Sequence, residues 1–192
     1  MSGPTAAPDA MRRGKRTLFL IATAFLAPVV LSYAVYHLSP PGSFTNYGEL
    51  LPIRPVAALT GTRPDRSPFR MMEMQGRWTI LLAAGGVCDD ACAQQLHATR
   101  QARIMQGRER ERIERVWLVS DGVRPDAALL AEHPDVVVVQ TSTAEVALLP
   151  KGAQAIHLVD PLGNQVLAWP RQPDIKALAR DLTRLLKASR IG

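Results

Sequence analysis

The sequence has few cysteines and none of the common catalytic signatures. It contains no G-x-S-x-G, no H-E-x-x-H, no phosphate-binding glycine loop and no C-x-x-C-H segment. These absences argue against an α/β-hydrolase, a zinc metalloprotease, a P-loop nucleotide hydrolase and a protein with covalently attached haem. Cys88 and Cys92 are the only cysteines among the 192 residues, so any thiol chemistry of the chain depends on them.

Asp, Glu, Lys and Arg are absent from residues 17–38, which read TLFLIATAFLAPVVLSYAVYHL. At about 1.5 Å per residue, a helix of this length crosses a hydrocarbon core of about 30 Å. The segment therefore predicts one transmembrane helix. A cleaved signal peptide is the alternative, but its apolar region is usually only about 7–15 residues long and ends at a small-residue cleavage site.

Basic residues lie on one side of this segment. Arg12, Arg13, Lys15 and Arg16 precede it, and no Lys or Arg follows until Arg54. Positive residues stay on the cytoplasmic side, so we expect a cytoplasmic basic tail at residues 1–16 and export of the rest. In a bacterium this means the inner membrane, with a periplasmic domain in which cysteine pairs can be oxidised.

The basic isoelectric point of 9.9 does not predict a nucleic-acid partner. The tail contains four of the 23 basic and one of the 17 acidic residues, which leaves 19 basic and 16 acidic residues beyond it. The densest charged run, GRERERIER at residues 107–115, alternates in sign. This pattern is typical of a solvated surface rather than of a phosphate-binding stripe.

Beyond the apolar segment, residues 39–67 are rich in proline and glycine, which disfavour a long helix or a central strand. We therefore expect a spacer there and a domain at residues 68–192. Strand-like apolar runs lie at 77–84, 115–120, 135–140, 155–160 and 165–170. Helical patterns lie at 90–106, at 125–133 and after Asp174, a plausible N-cap.

This order alternates strands with helices and ends in a hairpin and a helix. Strands joined through helices pair in parallel, and the hairpin adds antiparallel strands. We therefore predict an α/β fold, a thioredoxin-like domain with a central mixed sheet flanked by helices, preceded by one transmembrane helix. Both cysteines would lie where the first strand of this domain meets the following helix.

The C-x-x-x-C spacing of Cys88 and Cys92 is compatible with three roles. One helical turn brings the two Cα atoms near the separation of about 4.4–6.8 Å that a disulfide accepts. The pair is then a redox couple, a pair of thiolate ligands for a soft ion such as Cu(I), or a permanent disulfide. A helix N-terminus stabilises a thiolate, whereas Asp89 and Asp90 disfavour it by charge repulsion.

The cysteine segment resembles the Sco family, membrane-anchored thioredoxin-like proteins that serve assembly of the copper site of cytochrome c oxidase. The family pattern T-x-C-P-D-x-C-P-x-x-L is similar to GRWTILLAAGGVCDDACAQQL. The matching positions are Cys88, Asp90, Cys92 and Leu96. LVSDGVRPD is similar to the later S-x-D-P-x-R-D segment at Asp121 and Arg124, and IHLVDPLGN is similar to the family's hairpin.

The resemblance implies a role in biogenesis of a haem-copper oxidase, by Cu(I) handling or thiol–disulfide exchange through Cys88 and Cys92. The implied partners are an oxidase subunit or another copper or thiol chaperone. The whole chain is also similar to transmembrane proteins of unassigned role that proteobacteria encode beside haem-copper oxidase genes. A redox-inert thioredoxin-fold interaction module with a structural disulfide is the alternative.

The third copper ligand of the family, a histidine, has no counterpart here. Alignment places Gly152 at the ligand position and His157 at the tyrosine five residues later. His157 is therefore the candidate third ligand if its side chain faces the first helix of the domain. His97 is a weaker candidate, and the thioethers of Met71, Met72 and Met74 are soft donors, with Met72 and Met74 expected on one strand face. Each of these residues also has a purely structural reading.

The absence of proline at Ala155, where thioredoxins have a cis-proline, argues against a general oxidoreductase.

Overall fold

The computed structural model describes residues 8–38, 46–56 and 58–189. The chain divides into two compact units, residues 1–45 and residues 46–192. In the described part of the chain, the first unit consists of helix α1, Pro8–Leu38, and the second contains the strands and the other helices. Residues 1–7 of the predicted tail and residues 39–45 of the predicted spacer lie outside the described residues.

Helix α1 is 31 residues long and contains Pro28. Its segment Gly14–Leu38 is long and apolar enough to cross a membrane, by length and composition. Nearly all side chains of this segment are exposed, including the aromatic rings of Phe19, Phe25 and Tyr36. The predicted span of residues 17–38 lies within α1, which begins earlier than expected, at Pro8.

Among the described residues of the second unit, eight strands form one mixed sheet. In chain order they are β1 Glu49–Pro55, β2 Thr60–Thr62, β3 Pro68–Arg70, β4 Trp78–Ala84, β5 Ile113–Val119, β6 Val136–Gln140, β7 Ala155–Val159 and β8 Asn164–Pro170. Across the sheet they are arranged β1-β8-β7-β4-β5-β6-β2-β3. Strands β4, β5 and β6 are parallel, and the other neighbours are antiparallel. The predicted mixed sheet is confirmed, with the five predicted strands as β4 to β8.

In the part of the second unit that the structure describes, four α-helices accompany the sheet: α2 Asp90–Ile104, α3 Ala127–Glu132, α4 Thr143–Ala147 and α5 Ile175–Ala188. Each begins after a residue whose side-chain oxygen accepts a backbone N–H of the first turn. These caps satisfy donors that the helix itself leaves without partners. The predicted N-cap Asp174 is confirmed by its bond to the N–H of Ala177, 2.7 Å long. Helix α4 has no counterpart in the sequence predictions.

The two faces of the sheet have different coverings. On the helical face, Ile80 and Leu82 of β4 pack in apolar clusters with α2 and α5. On the loop face, Leu81 and Ala83 pack with Val146 of α4 and with residues of the loops. Because successive strand residues point to opposite faces, β4 is buried on both sides, which explains its unbroken apolar sequence.

Arg115 fixes α2 to the helical face. Its side chain is fully buried, and its guanidinium donates to the Leu96 carbonyl at 2.6 Å and to Thr99 Oγ1 at 2.9 Å, both in α2. It also forms an ion pair of 3.0 Å with Asp135, just before β6. A buried guanidinium needs this many partners because burial of a charge without them is costly. The interactions hold the helix that carries Cys92 against β5.

The expected start of the domain at residue 68 is too late. Residues 49–55 form β1, which pairs with β8, and residues 60–62 form β2, which pairs with β3 and β6. In addition, the N–H groups of Tyr47 and Gly48 donate to the buried carboxylate of Asp181 in α5. Prolines occur in β1 because it is an edge strand, where a missing donor costs little. Proline content therefore gave the wrong boundary.

Candidate functional site

Cys88 and Cys92 form a disulfide at the carboxyl end of β4, with their Cα atoms 5.1 Å apart. Cys92 lies in the first turn of α2, and Cys88 lies in the loop between β4 and α2. The φ angle of Cys88 is 54°, in the left-handed region that non-glycine residues rarely adopt. This backbone conformation turns the chain from the strand into the helix and brings the two sulfur atoms together.

The two cysteines differ in exposure. The Cys92 side chain is fully buried and packs with Leu82, Leu96 and Trp117 on the helical face. Cys88 is only partly buried and lies at the border of the same cluster. Cys88 is therefore the cysteine that is open to solvent in part, whereas Cys92 is shielded.

Asp89 caps the helix that carries Cys92. Its Oδ1 accepts the backbone N–H of Cys92 at 2.8 Å, and its carboxylate forms an ion pair of 3.2 Å with Arg171. The charge repulsion expected between Asp89 and Cys88 is thus opposed by a nearby guanidinium. Sequence reasoning missed Arg171, which lies 82 residues from Asp89 and belongs to no motif.

Asp121 supports the loop before Cys88 from the end of β5. Its carboxylate accepts the N–H of Gly86, at 3.1 and 3.0 Å from the two oxygens, and the N–H of Val123 at 3.0 Å. Both bonds lower the pKa of Asp121 below its usual value, and the bond from Val123 has the larger effect. A Cβ at Gly86 would overlap the carbonyl oxygen of Val123, so only glycine fits there. The family resemblance included Asp121, but not this supporting role.

His157 lies on the opposite face of the sheet from Cys92. It pairs directly with Leu81 of β4, and residues directly opposite each other on neighbouring strands point to the same face. Leu81 belongs to the loop face, whereas Cys92 packs with Leu82 on the helical face. The structure therefore does not bring His157 to the cysteines.

The hydrogen bond of His157 explains its position. The ring is fully buried, and Nε2 lies 3.0 Å from the carbonyl oxygen of Gly152, which requires an N–H there. Burial lowers the pKa of His157, an effect that the Gly152 carbonyl only partly offsets and that nearby Lys151 reinforces. His157 is thus a neutral residue that packs in the core, which agrees with a purely structural role for this histidine.

Gly152 itself lies near the cysteine end of the sheet. It begins a short 3-10 turn, Gly152–Gln154, that contacts β4. Since β7 runs antiparallel to β4, residues just before β7 lie towards the end of β4 that leads to Cys88. The position is the one at which the resemblance places the family's ligand, but glycine has no side chain to donate.

The remaining predicted donors are methionines and one further histidine. Residues Met71–Met74 form a 3-10 helix rather than a strand, so the expectation of a shared strand face is wrong. Met71 is buried in the core of the loop face, and Met72 is exposed. His97 is exposed on α2. Among residues 14–38, 46–56 and 58–189, no three His, Cys, Asp or Glu side chains are grouped to hold a metal ion.

A family model described as "Transmembrane-like, thioredoxin-like, C-terminal domain" matches residues 78–189, more than half of the chain. The protein belongs to this transmembrane-like, thioredoxin-like family. The match begins at β4 and ends just after α5, so it contains both cysteines. Together with the apolar helix α1, membership in this family indicates a single-pass membrane protein. No curated protein sequence matches the chain.

Solved structures similar to this transmembrane-like, thioredoxin-like protein include several Sco proteins. Apo Sco1 of Thermus thermophilus has a TM-score of 0.59 and 19% identity, over 77% of this chain and 98% of that one. Copper-bound ScoI of Arabidopsis thaliana has a TM-score of 0.56 and 17% identity, over 74% of this chain and 99% of that one. The thioredoxin domain of a thiol-disulfide oxidoreductase from Bacteroides vulgatus has a TM-score of 0.50 and 14% identity, over 75% and 99%. At these identities the similarity establishes a Sco-like, thioredoxin-like fold.

Proposed function

We propose that the protein is a membrane-anchored thiol–disulfide exchange protein that acts through Cys88 and Cys92 in the biogenesis of a haem-copper oxidase. The observation that carries the proposal is the unequal placement of the two sulfurs at the carboxyl end of β4. Cys88 is partly exposed, and Cys92 is fully buried in the first turn of a helix. A disulfide that served only as a staple would close a very short loop, which gives little entropic stabilisation.

The exchange reaction follows from this placement. A thiolate of the partner attacks Sγ of Cys88, the Cys88–Cys92 bond breaks, and Cys92 leaves as a thiolate that takes up a proton. A second thiolate of the partner then attacks the partner sulfur that is bonded to Cys88 in the mixed disulfide. Cys88 leaves as a thiolate and takes up a proton. The partner dithiol is oxidised to a disulfide and this chain is reduced to two thiols; the reverse reaction reduces a partner disulfide.

The N-terminus of α2 assists the leaving group. Cys92 lies in the first turn of this 15-residue helix, where the aligned peptide dipoles favour a negative charge. Asp89 already accepts the Cys92 N–H and is itself paired with Arg171. The positive end of the helix dipole therefore still favours a thiolate at Cys92, because Arg171 balances the negative charge of Asp89.

Cellular placement and partners come from sequence. The four basic residues before the apolar segment favour a cytoplasmic N-terminus and a periplasmic domain in a bacterial inner membrane. The partners would be an oxidase subunit or another copper or thiol chaperone of that compartment. The Sco-like fold, and the crystallisation of such proteins with copper, support this assignment.

Cu(I) transfer is the second candidate function. Once the disulfide is reduced, two thiolates lie within reach of one soft ion, and two thiolates suffice to bind Cu(I). Neither Gly152 nor the buried ring of His157 supplies a third donor. Cu(I) would therefore be held as cargo by two sulfurs, with any further ligand coming from the partner.

Trapping tests the exchange reaction. The Cys92→Ser variant keeps the accessible thiol and should form a stable mixed disulfide with its partner, visible on a non-reducing gel and lost with reductant. The matched Cys88→Ser variant keeps only the buried thiol and should trap little. A maleimide should also modify the first variant at least about tenfold faster, because the second must open locally to react. Equal trapping and equal modification by the two variants would contradict the proposal.

Deletion of the gene tests the biological role. Oxidase activity should fall in the deletion strain and return with the wild-type chain but not with the Cys88→Ser, Cys92→Ser double variant. Recovery on added copper alone would favour metal delivery over exchange. Anaerobic titration of the reduced full chain with Cu(I) and a competing chelator would then show one copper that Cys88→Ser abolishes. Full complementation by the double variant would leave only the redox-inert interaction module.

A further inference from the structure

A second feature of the same domain is a cavity of about 350 Å³ lined by residues of β6, α3 and the turn after β2. Three arginines are among the residues that line it: Arg63, Arg66 and Arg124. Part of the wall is apolar and includes Leu130 of α3 and Val138 of β6. None of the described residues that line the cavity is acidic. The cavity therefore has both cationic and apolar lining residues.

Two of the three arginines are free to bind an external anion. Arg63 forms an ion pair with Glu73 and donates to the Pro68 carbonyl at 2.6 Å, so it is already engaged. Arg66 and Arg124 are exposed, and within the part of the chain that the structure describes neither side chain has an ion-pair partner. Their charges are available to an anion that enters the cavity.

The nearby carboxylates are occupied elsewhere. Asp65 accepts both the N–H and the hydroxyl of Ser67, and the side-chain bond is the main reason why the pKa of Asp65 is lowered. Asp126 caps α3 by accepting the N–H of Ala128 at 2.7 Å. Neither carboxylate forms an ion pair with Arg66 or Arg124 among the described residues.

The turn that carries Arg66 is built by local bonds. The N–H of Arg63 donates to the Ser67 carbonyl at 2.9 Å, and the N–H of Arg66 donates to the Arg63 carbonyl at 2.9 Å. Arg66 has a φ of 71°, an uncommon conformation for a residue with a side chain. A fixed turn lowers the entropy lost when its arginine binds a ligand, which favours recognition by this residue.

The cavity is structurally linked to the disulfide. Leu130 and Val138, which line it, also belong to or pack against the apolar cluster that contains Cys92 and contacts Cys88. Arg124 follows Val123, whose carbonyl accepts the Gln140 amide at 2.9 Å and lies against Gly86. The cavity and the accessible sulfur therefore lie on the same face and at the same end of the parallel strands.

We infer that this cavity binds an acidic segment of the partner protein, with carboxylates on Arg66 and Arg124 and an apolar side chain against Leu130 and Val138. Arginine binds carboxylates in a planar, two-bond geometry, and a mixed polar and apolar wall fits a peptide better than a free inorganic anion. Docking there would hold the partner beside Cys88. The use of this docking for thiol exchange rests on the proposed function, whereas the binding itself does not.

The test measures peptide binding to the full chain in micelles of a neutral detergent. The probe is an acetylated, amidated peptide of alternating glutamate and valine that carries an uncharged dye, and binding is followed by fluorescence anisotropy against empty micelles. The control peptide has the same sequence with every glutamate replaced by glutamine. The variants are Arg66→Gln with Arg124→Gln, and, as a control of equal charge change, Arg108→Gln with Arg180→Gln, two exposed arginines outside the cavity.

We expect the Arg66→Gln, Arg124→Gln variant to weaken binding of the acidic peptide by about tenfold or more, because two charge-assisted contacts are lost. The Arg108→Gln, Arg180→Gln variant should remain within about twofold of wild type, and the glutamine peptide should bind about tenfold more weakly. Both double variants should unfold in urea at the wild-type midpoint, which excludes misfolding as the cause.

Equal weakening by both double variants would overturn the proposal, since it would indicate attraction by the overall charge rather than by the cavity. Unchanged binding in the Arg66→Gln, Arg124→Gln variant would overturn it as well. If phosphatidylglycerol, added to the micelles at less than the peptide concentration, displaces the peptide, the proposal is overturned, because the cavity then binds a lipid headgroup rather than an acidic peptide. The Cys88→Ser, Cys92→Ser chain has no thiol, so it can dock the peptide but cannot exchange disulfides. Wild-type peptide binding by this chain would show that docking does not depend on exchange, whichever way the exchange experiments turn out.

Discussion

The buried position of His157 predicts a specific loss of stability at mildly acidic pH. The unfolded chain protonates this histidine near the ordinary pKa of 6.5, whereas burial lowers its pKa in the folded state. The folded state therefore binds fewer protons below pH 6.5, and stability falls as the pH decreases from there towards the folded-state pKa. One such histidine lowers the free energy of unfolding by at most about 1.4 kcal/mol per pH unit.

The assay is urea unfolding of the full chain in neutral detergent at pH 7.5 and at pH 5.5, followed by tryptophan fluorescence. All three tryptophans, Trp78, Trp117 and Trp169, lie in the buried clusters of the sheet domain, so the signal reports on that domain alone. His157→Gln keeps an amide donor for the Gly152 carbonyl but does not titrate. The wild type should lose roughly 1 kcal/mol more than this variant between the two pH values.

His97→Gln is the matched control, because His97 is exposed on α2 and its replacement should leave the pH dependence as in the wild type. His133, whose pKa is lowered by burial and by Arg115, contributes equally to all three proteins and cancels in the comparison. An unchanged pH dependence in His157→Gln would refute the reasoning. So would loss of Cu(I) binding in this variant, because it would place the ring near the cysteines.

Three further predictions concern the supports of the site. Gly86→Ala should lower the urea midpoint, because its Cβ would overlap the Val123 carbonyl; an unchanged midpoint would show that the loop can shift. Arg115→Leu should lower the free energy of unfolding by about 2–4 kcal/mol in the same urea assay, since it leaves the Leu96 carbonyl and other buried partners without their donor. Asp121→Ala should speed reduction of the disulfide by dithiothreitol, because the loop before Cys88 loses the side-chain oxygens that accept the Gly86 N–H; a wild-type rate would contradict the supporting role.

The central part of the fold was predictable because its sequence signals are local. The apolar run of β4 and the valines of β6 are buried by the sheet, and the cap of α5 is made within its own first turn. The edge strands were not predictable in this way. Strand β1 contains Pro52 and Pro55 and is stabilised by its pairing with β8 and by nearby bonds to Asp181, more than 100 residues away. No pattern within β1 encodes those partners.

For the site, the sequence predicted where the cysteine pair lies but not what surrounds it. The position of Cys88 and Cys92 followed from a strand, a loop and a helix that are consecutive in the chain. The direction of the His157 side chain depends on the register of β7 against β4, which the sequence of β7 alone does not define. Arg171, which pairs with Asp89, and the three arginines of the cavity come together only through the fold.

The donor set at the end of β4 bears on which chemistry the pair performs. Gly152 has no side chain and His157 points to the other face, and within the described part of the chain no imidazole is grouped with the two sulfurs as a third donor. A metal held by two ligands is released more readily than one held by three, and two thiols without a bound metal are free to be oxidised. The absence of a third donor would weaken retention of copper and would leave thiol exchange possible, which favours exchange over copper transfer as the proposed function.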